Sequence, residues 1–251
     1  MDRGSILAIL FIVLISCGIG ATILYIDFLT PEYHPSHITV GYYGVDSSLK
    51  IKLGLDPSVV IIELNDSDLL NTTLLSQLNV LVINDRVPSV SLGNISLMVL
   101  MGSNLAQNAS LLVDRGITSA SSLQNNTESG AARGIVVHPL VDNIAWYSMP
   151  EAKRFSILPV VHQESVLVID DLSTAPLLVK WNNTLVFTPW VNDADNQEVI
   201  LWPYFNYFLF AALQDLSGNV IVTFSLWPYS PVPHQNDLQF VAIILEVLVI
   251  F

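Results

Sequence analysis

The sequence predicts an α/β fold: a mainly parallel sheet flanked by helices, with an antiparallel edge hairpin and an N-terminal transmembrane helix. Three observations predict it. Short runs rich in Val and Ile recur between residues 38 and 218 and are apolar on both faces, as in strands buried between two helix layers. Two such runs flank the pair Asn182-Asn183, which suits a tight turn. An uncharged apolar stretch at residues 6–26 precedes them all.

The N-terminal stretch is long enough to cross a bilayer, since its 21 residues span about 30 Å as a helix. Arg3 precedes it and the next Lys or Arg is Lys50, so the charge bias places the N-terminus in the cytoplasm. We assign residues 1–5 to a cytoplasmic stub, 6–26 to a lipid-contacting anchor and 27–37 to a tether. A cleaved signal peptide is one alternative, and a lipoprotein signal is another because Leu14–Cys17 resembles a lipobox.

The C-terminal segment is also apolar. Residues 240–251 are too short to cross a bilayer as a helix and contain Glu246, and residues 219–239 form a Pro-containing linker before them. A final buried strand, a helix in the membrane interface and half of a second membrane helix all fit this segment. The sequence favours the last of these, which would make a single-pass protein two-pass.

Six Asn-x-Ser/Thr sequons follow the anchor, whereas composition alone predicts about two. They begin at Asn65, Asn71, Asn94, Asn108, Asn125 and Asn182. N-glycosylation requires a surface position on the outer side of a membrane. The sequons therefore predict a glycosylated domain outside the cytoplasm at the cell membrane. A cytoplasmic protein with accidental sequons is the alternative, and it leaves residues 6–26 unexplained.

Composition excludes several classes of function. The formal net charge is −13 and only 12% of residues are charged, which argues against a nucleic-acid partner. The one cysteine, Cys17, lies in the anchor, so the domain has no disulfide, thiol nucleophile or cysteine metal site. His34 and His37 are more simply explained as loop residues than as metal ligands. We expect no metal and no cofactor.

The elements follow from periodicity. The predicted strands are residues 38–44, 58–64, 79–85, 134–139, 165–170 and 184–189, with 176–181 completing the hairpin. A helix is predicted from Pro203 to Gly218, because Pro is favoured at a helix start, Gly at a helix end, and apolar residues recur on one face between them. Segments 68–78 and 91–102 are predicted to contain helix, capped by Asp68 and Ser91. The polar stretch 104–134 is predicted to be an irregular insertion or a helix–loop.

Carboxylates follow two of the predicted strands. Asp170 and Asp171 end one strand, and Asp193 and Asp195 lie in an acidic run after another. Loops at the carboxyl ends of parallel strands are where open α/β sheets bind ligands, so these residues and His138, at a strand end, form a candidate ligand edge. Paired carboxylates can support acid–base hydrolysis, although such residues also occur simply as solvated loops.

Four segments, in order, resemble the class I glutamine-amidotransferase-like superfamily in its trehalose-utilisation-protein branch. They are the strand 79–85, the His138-Pro139 segment, the run 165–190 and the aromatic helix 201–218. The resemblance implies the α/β fold of that superfamily. Its active members carry a Cys at an elbow after a central strand, and here residues 86–102 contain none. The resemblance therefore implies a fold without the superfamily's catalytic centre.

These observations predict a membrane-anchored, extracytoplasmic domain that binds or scaffolds a protein or glycan at the cell surface. The alternative function is a surface hydrolase, directed at glycans, that uses the carboxylates of the candidate ligand edge.

Overall fold

The computed structural model describes residues 35–126 and 128–229, together with Phe11, Ile15 and Gly18. Residues Met1–His34 and Pro35–Phe251 separate into two units, and the sheet belongs to the second. Among the described residues, no helix has the length and apolar character needed to cross a membrane. The predicted anchor, apart from those three residues, and the apolar segment 240–251 lie outside the described residues.

Within the described residues, eight strands form one sheet in the order β2-β1-β3-β4-β10-β9-β8-β6. Their bounds are β1 Ile38–Gly44, β2 Val59–Glu63, β3 Val80–Asn84, β4 Leu97–Leu100, β6 Ala132–Gly134, β8 Val166–Asp170, β9 Pro176–Trp181 and β10 Thr184–Phe187. A separate antiparallel pair joins β5 Gln124–Asn126 to β7 Phe155–Ile157. The strands from β2 to β10 are parallel and follow the 2-1-3-4-5 order of one common class of doubly wound sheet.

Antiparallel strands complete the sheet, since β9 is antiparallel to both β10 and β8, and β6 to β8. The turn between β9 and β10 places Asn182 at a φ of 51°, a backbone conformation that Asn tolerates better than most residues. The mainly parallel sheet with antiparallel strands toward one edge is thus confirmed. The predicted hairpin, β9–β10, lies inside the sheet, because β8 and β6 extend it further.

Helices cover both faces of the sheet. Their bounds are α1 Ser47–Leu53, α2 Thr72–Leu75, α3 Ser103–Gln107, α4 Ser110–Asp114, α5 Pro139–Asp142, α6 Gln197–Leu201 and α7 Phe205–Leu216. On one face, Leu105 of α3 and Leu112 of α4 pack with alternate strand residues such as Ile83 and Val186. On the other face, Phe187 of β10 meets Phe208 of α7 with ring centroids 4.9 Å apart. This arrangement gives a three-layer α/β/α domain.

Two sequence-based assignments are wrong. Segment 91–102 was predicted to contain helix, but Leu97–Leu100 is the fully buried strand β4. Segment 134–139 was predicted to be a strand, but β6 ends at Gly134 and α5 begins at Pro139. The predicted helix after Pro203 is confirmed as α7, and its aromatic residues are core, since Phe205, Tyr207 and Phe208 are fully buried.

The first part of the predicted linker packs against α7. Tyr207 donates a hydrogen bond to the carbonyl oxygen of Val222 at 2.7 Å. The indole of Trp227 is fully buried and donates to Asp56 Oδ2 at 2.9 Å. These contacts extend the ordered domain beyond Gly218 as far as Trp227.

Candidate functional site

Doubly wound sheets bind ligands at the carboxyl edge, at the point where the strand order reverses. That point lies between β1 and β3, and the protein's own side chains fill it. Asn84 donates through Nδ2 to Tyr42 Oη at 2.8 Å, and Asn192 Nδ2 donates to Asn84 Oδ1 at 2.8 Å. The hydroxyl of Tyr42 donates in turn to the carbonyl oxygen of Asp46. Burial raises the pKa of Tyr42 to about 12, so the phenol stays protonated.

A second cluster lies at the same edge. The hydroxyl of Tyr43 donates to the carboxylate of Asp66, and Arg86 Nη2 pairs with Asp66 Oδ2 at 2.9 Å. The guanidinium carbon of Arg86 lies 4.3 Å from the centroid of the Tyr43 ring, within cation–π range. Burial, followed by the hydrogen bond to Asp66, raises the pKa of Tyr43 to about 12. The three side chains pair with one another beyond the ends of β1, β2 and β3.

Asp85 follows β3 directly and is not among the residues that the sequence predicts for the ligand edge. Its φ is 47°, and its buried carboxylate turns back to accept from the backbone N–H groups of Asn104 at 2.8 Å and Leu105 at 3.1 Å. Gly102 allows this approach, because a Cβ there would lie 2.2 Å from Asp85 Cγ. Burial raises the pKa of Asp85. The sequence indicates this capping role only by an Asp placed directly after a buried strand, because Asp tolerates a positive φ.

The predicted pair Asp170 and Asp171 do not act together. Asp170 is fully buried, and its carboxylate accepts from Gly130 N at 2.5 Å and from Ser173 N at 2.7 Å. Asp171 is exposed and pairs with Arg133 Nε at 3.0 Å. The first carboxylate therefore holds a turn, and the second forms a surface ion pair.

Asp193 and Asp195 are brought together by a residue that the sequence did not indicate. Arg154 reaches Asp193 Oδ2 from Nη1 at 3.4 Å and Asp195 Oδ2 from Nε at 3.2 Å. Asp193 also accepts from the backbone N–H of Asp195 at 2.9 Å, which closes a 3₁₀ turn. Asp193 and Asp195 thus share one guanidinium, while Asp170 and Asp171 have other partners.

His138 belongs to a separate, partly buried cluster. Its Nδ1 accepts from the backbone N–H of Leu140 at 3.2 Å and caps α5, so the proton of the neutral ring sits on Nε2. Nε2 lies 3.4 Å from Lys180 Nζ, which pairs with Asp215 Oδ2 at 2.7 Å. Burial lowers the pKa of His138, with Asp215 opposing and Lys180 reinforcing this effect. Lys180 and Asp215 carry no sequence signal, because only the fold brings β9 and α7 together.

Of the two histidines that could be metal ligands by their spacing, His34 and His37, only His37 is among the described residues. His37 is exposed. Within the described part of the chain, no group of three or more His, Cys, Asp or Glu side chains could hold a metal ion.

All six sequon asparagines are exposed. They lie on different elements: after β2, before α2, before β4, between α3 and α4, in β5 and in the hairpin turn. Asn71 and Asn108 use Oδ1 to accept backbone N–H bonds from Leu74 and Ser110. Asn65 does the same toward Ser67 at 2.9 Å.

The atom that carries an N-linked glycan is Nδ2, and among the described residues none of the six sequon asparagines donates a hydrogen bond through it. Seven of the other ten described asparagines do donate: Asn84, Asn104, Asn126, Asn183, Asn192, Asn196 and Asn219. The sequon amides are thus exposed, and within the described part of the chain their Nδ2 atoms donate to no other group.

A polar pocket of about 260 Å³ lies at the amino edge, in front of β4 and β10. Its lining includes Ser91, Asn94, Asp114, Arg115, Trp181, Asn182, Asn183 and Thr184. Arg115 Nη1 donates to Ile95 O at 3.0 Å, while its Nη2 is buried and has no hydrogen-bond partner among the described residues. Burial lowers the pKa of this guanidinium. No motif marks Arg115 in the sequence.

Comparisons with known proteins do not assign a family. No protein-family model matches the chain, and no curated protein matches it. A solved beta-galactosidase from the psychrophilic Marinomonas ef1 has a TM-score of 0.43 and 12% identity, over 78% of this chain and 30% of the galactosidase. A protein described as a GMP synthase subunit, from Thermoplasma acidophilum, has a TM-score of 0.41 and 11% identity, over 74% of this chain and 96% of that one. At these TM-scores, neither likeness carries an argument about function.

Proposed function

We propose that this protein is a membrane-anchored, extracytoplasmic, N-glycosylated domain that binds or scaffolds a partner at the cell surface and catalyses no reaction. One observation carries the proposal: all six sequon asparagines are exposed, and none uses Nδ2 within the described fold. The apolar stretch 6–26 supplies the anchor, and the partner is a protein or a glycan.

The disposition of the carboxylates supports a non-catalytic role. Asp170 is buried and holds a turn, Asp171 pairs with Arg133, and Asp193 and Asp195 share Arg154. A general acid–base pair needs two carboxylates that face a common substrate. Here Asp170 and Asp171 have separate partners, and Asp193 and Asp195 are both engaged by Arg154. Tyr42 and Asn84 fill the position where a doubly wound sheet receives a ligand.

The fold is proposed to be a remote relative of the glutamine-amidotransferase-like superfamily, in the branch of trehalose-utilisation proteins. The four matching sequence segments and the strand order from β2 to β10 support this relation. Asp85 follows β3 with a positive φ, and its side chain caps α3 instead of offering a nucleophile. A fold of this kind would then serve as a rigid carrier for surface loops and glycans.

Cysteine labelling tests the topology. Cys17 is the only cysteine, so Cys17→Ser gives a cysteine-free background into which Val220→Cys, 88% exposed, or Asp2→Cys is introduced. A membrane-impermeant maleimide on intact cells should label Val220→Cys, and should label Asp2→Cys only after lysis. The reverse pattern would overturn the proposal. Loss of membrane association in Cys17→Ser itself would instead support a lipid anchor at this residue.

A further inference from the structure

The pocket at the amino edge is bordered by the sites that would carry glycans. Asn94 and Asn182 line it directly, together with Ser110 of the Asn108 sequon and Thr184 of the Asn182 sequon. Asn94 also lines a second, wider concavity of about 560 Å³ on the other side of the loop 91–94. Any sugar attached to Asn94 or Asn182 therefore starts at the mouth of a pocket.

We propose that this pocket holds a sugar unit of the protein's own N-linked glycan, carried by Asn94 or Asn182. The inference rests on the proposed glycosylation and adds a ligand and a site to it. The pocket is smaller than the range of about 300–1,000 Å³ typical of drug-sized ligands, so a single sugar ring suits it.

The lining matches the chemistry of a sugar. Ser91 and Asp114 offer hydroxyl and carboxylate groups for sugar hydroxyls, and Trp181 adds an aromatic wall. His162 stacks on Trp181 with ring centroids 3.7 Å apart and fixes the orientation of the indole. A sugar ring has hydroxyl groups at its edge and an apolar C–H face. The polar lining residues suit the hydroxyl groups, and the indole of Trp181 suits the C–H face.

The two attachment points are held together by hydrogen bonds, so the pocket is formed before the glycan enters. Asn183 Nδ2 donates to the carbonyl oxygens of Asn94 at 2.5 Å and Ile95 at 3.2 Å. Arg115 Nη1 donates to the same carbonyl of Ile95 and lies 3.4 Å from Asn183 Oδ1. Because the sugar is covalently attached, its effective concentration at the pocket is on the order of millimolar, and a weak contact suffices.

Sequon removal tests the inference without altering the lining asparagines. Ser96→Ala removes the Asn94 sequon and Thr184→Val, nearly isosteric in β10, removes the Asn182 sequon, while Ser67→Ala removes the Asn65 sequon as a matched control. Glycopeptide mass spectrometry first scores occupancy in the protein from its native membrane. Hydrogen–deuterium exchange then compares the backbone of residues 91–95 and 110–115 among the variants.

We expect faster exchange in at least one pocket variant and an unchanged exchange rate in Ser67→Ala. An effective concentration about ten times the dissociation constant would give a change of about tenfold. An effect of Ser96→Ala alone assigns the sugar to Asn94. Because Thr184 itself lines the pocket, an effect of Thr184→Val assigns the sugar to Asn182 only if it disappears when both proteins are first deglycosylated enzymatically. Equal exchange in all variants overturns the inference, as does occupancy that skips Asn94 and Asn182. Bare asparagines at all six sequons would overturn the proposed function as well.

Discussion

At the carboxyl edge of the sheet, Tyr42, Asn84 and Asp85 direct their polar groups at partners within the protein. At the amino edge, beside an open pocket, one guanidinium nitrogen of Arg115 has no hydrogen-bond partner among the described residues. The usual binding edge of a doubly wound sheet is therefore closed by hydrogen bonds, and the opposite edge is open and bordered by sequons. Buried polar groups that satisfy one another stabilise a fold, while an open polar pocket is available for a ligand. Substitutions at the two edges should consequently differ in their effects.

The largest effect is expected for Asp85→Ala. The substitution leaves the N–H groups of Asn104 and Leu105 without their acceptor and places Ala at a φ of 47°. We expect a loss of about 3 kcal/mol in the free energy of unfolding, or about 6–12 °C in Tm. Asp85→Asn is the control, because Asn keeps an acceptor and tolerates this φ, so it should lose clearly less. Equal losses in thermal unfolding would contradict the prediction that an acceptor at residue 85 is what holds α3.

A smaller loss is expected for Tyr42→Phe. It removes the hydroxyl that donates to Asp46 O and accepts from Asn84 Nδ2, while Asn84 keeps its bonds to Asn192. The expected cost is about 1.5 kcal/mol, measured by urea denaturation. Exposed Tyr147→Phe is the control and should be neutral. A neutral Tyr42→Phe would mean that the polar network at this edge adds nothing to stability.

At the amino edge, Arg115→Met should change stability by less than about 1 kcal/mol. The substitution loses the bonds to Ile95 O and Asn183 Oδ1 but also removes a buried nitrogen that has no partner among the described residues. Urea denaturation beside Asp85→Ala makes the comparison direct. A loss as large as that of Asp85→Ala would contradict the contrast between the two edges.

The pH dependence attached to Asp85 is expected to be the smallest effect. Burial raises its pKa above the ordinary 3.8, so the folded state binds more protons than the unfolded state between these two values. Within that window, stability contributed by this group rises as pH falls and is lost as pH rises through the folded pKa. The difference in unfolding free energy between wild type and Asp85→Asn should therefore shift in favour of wild type at lower pH. An unchanged difference from pH 7 to pH 4 would contradict the raised pKa.

Much of the fold was predictable because hydrophobic periodicity is a local property. Strand β3 and helix α7 have clear patterns and clear ends, and both were predicted close to their observed bounds. Strand β4 was missed because its four residues, Leu97–Leu100, include Leu and Met, which favour helices, and are too few to show a period. Burial between neighbouring strands of the sheet, and not local propensity, makes residues 97–100 a strand.

The candidate site was less predictable because its contacts join distant parts of the chain. Lys180 meets Asp215, and Arg115 reaches the carbonyl of Ile95, only after the sheet and its helices have packed. The sequons are the exception, since their motif is local, and exposure of each asparagine was the added structural information. Carboxylates at strand ends were visible in the sequence, but their arginine partners were not.

Glycopeptide mass spectrometry on the membrane fraction of the native source tests the central claim most directly. It scores the asparagine of each of the six sequons for an attached glycan. The proposed topology predicts modified asparagines among these sites in protein that fractionates with the membrane. Six bare sites, in a host that glycosylates its other exported proteins, would contradict an extracytoplasmic domain.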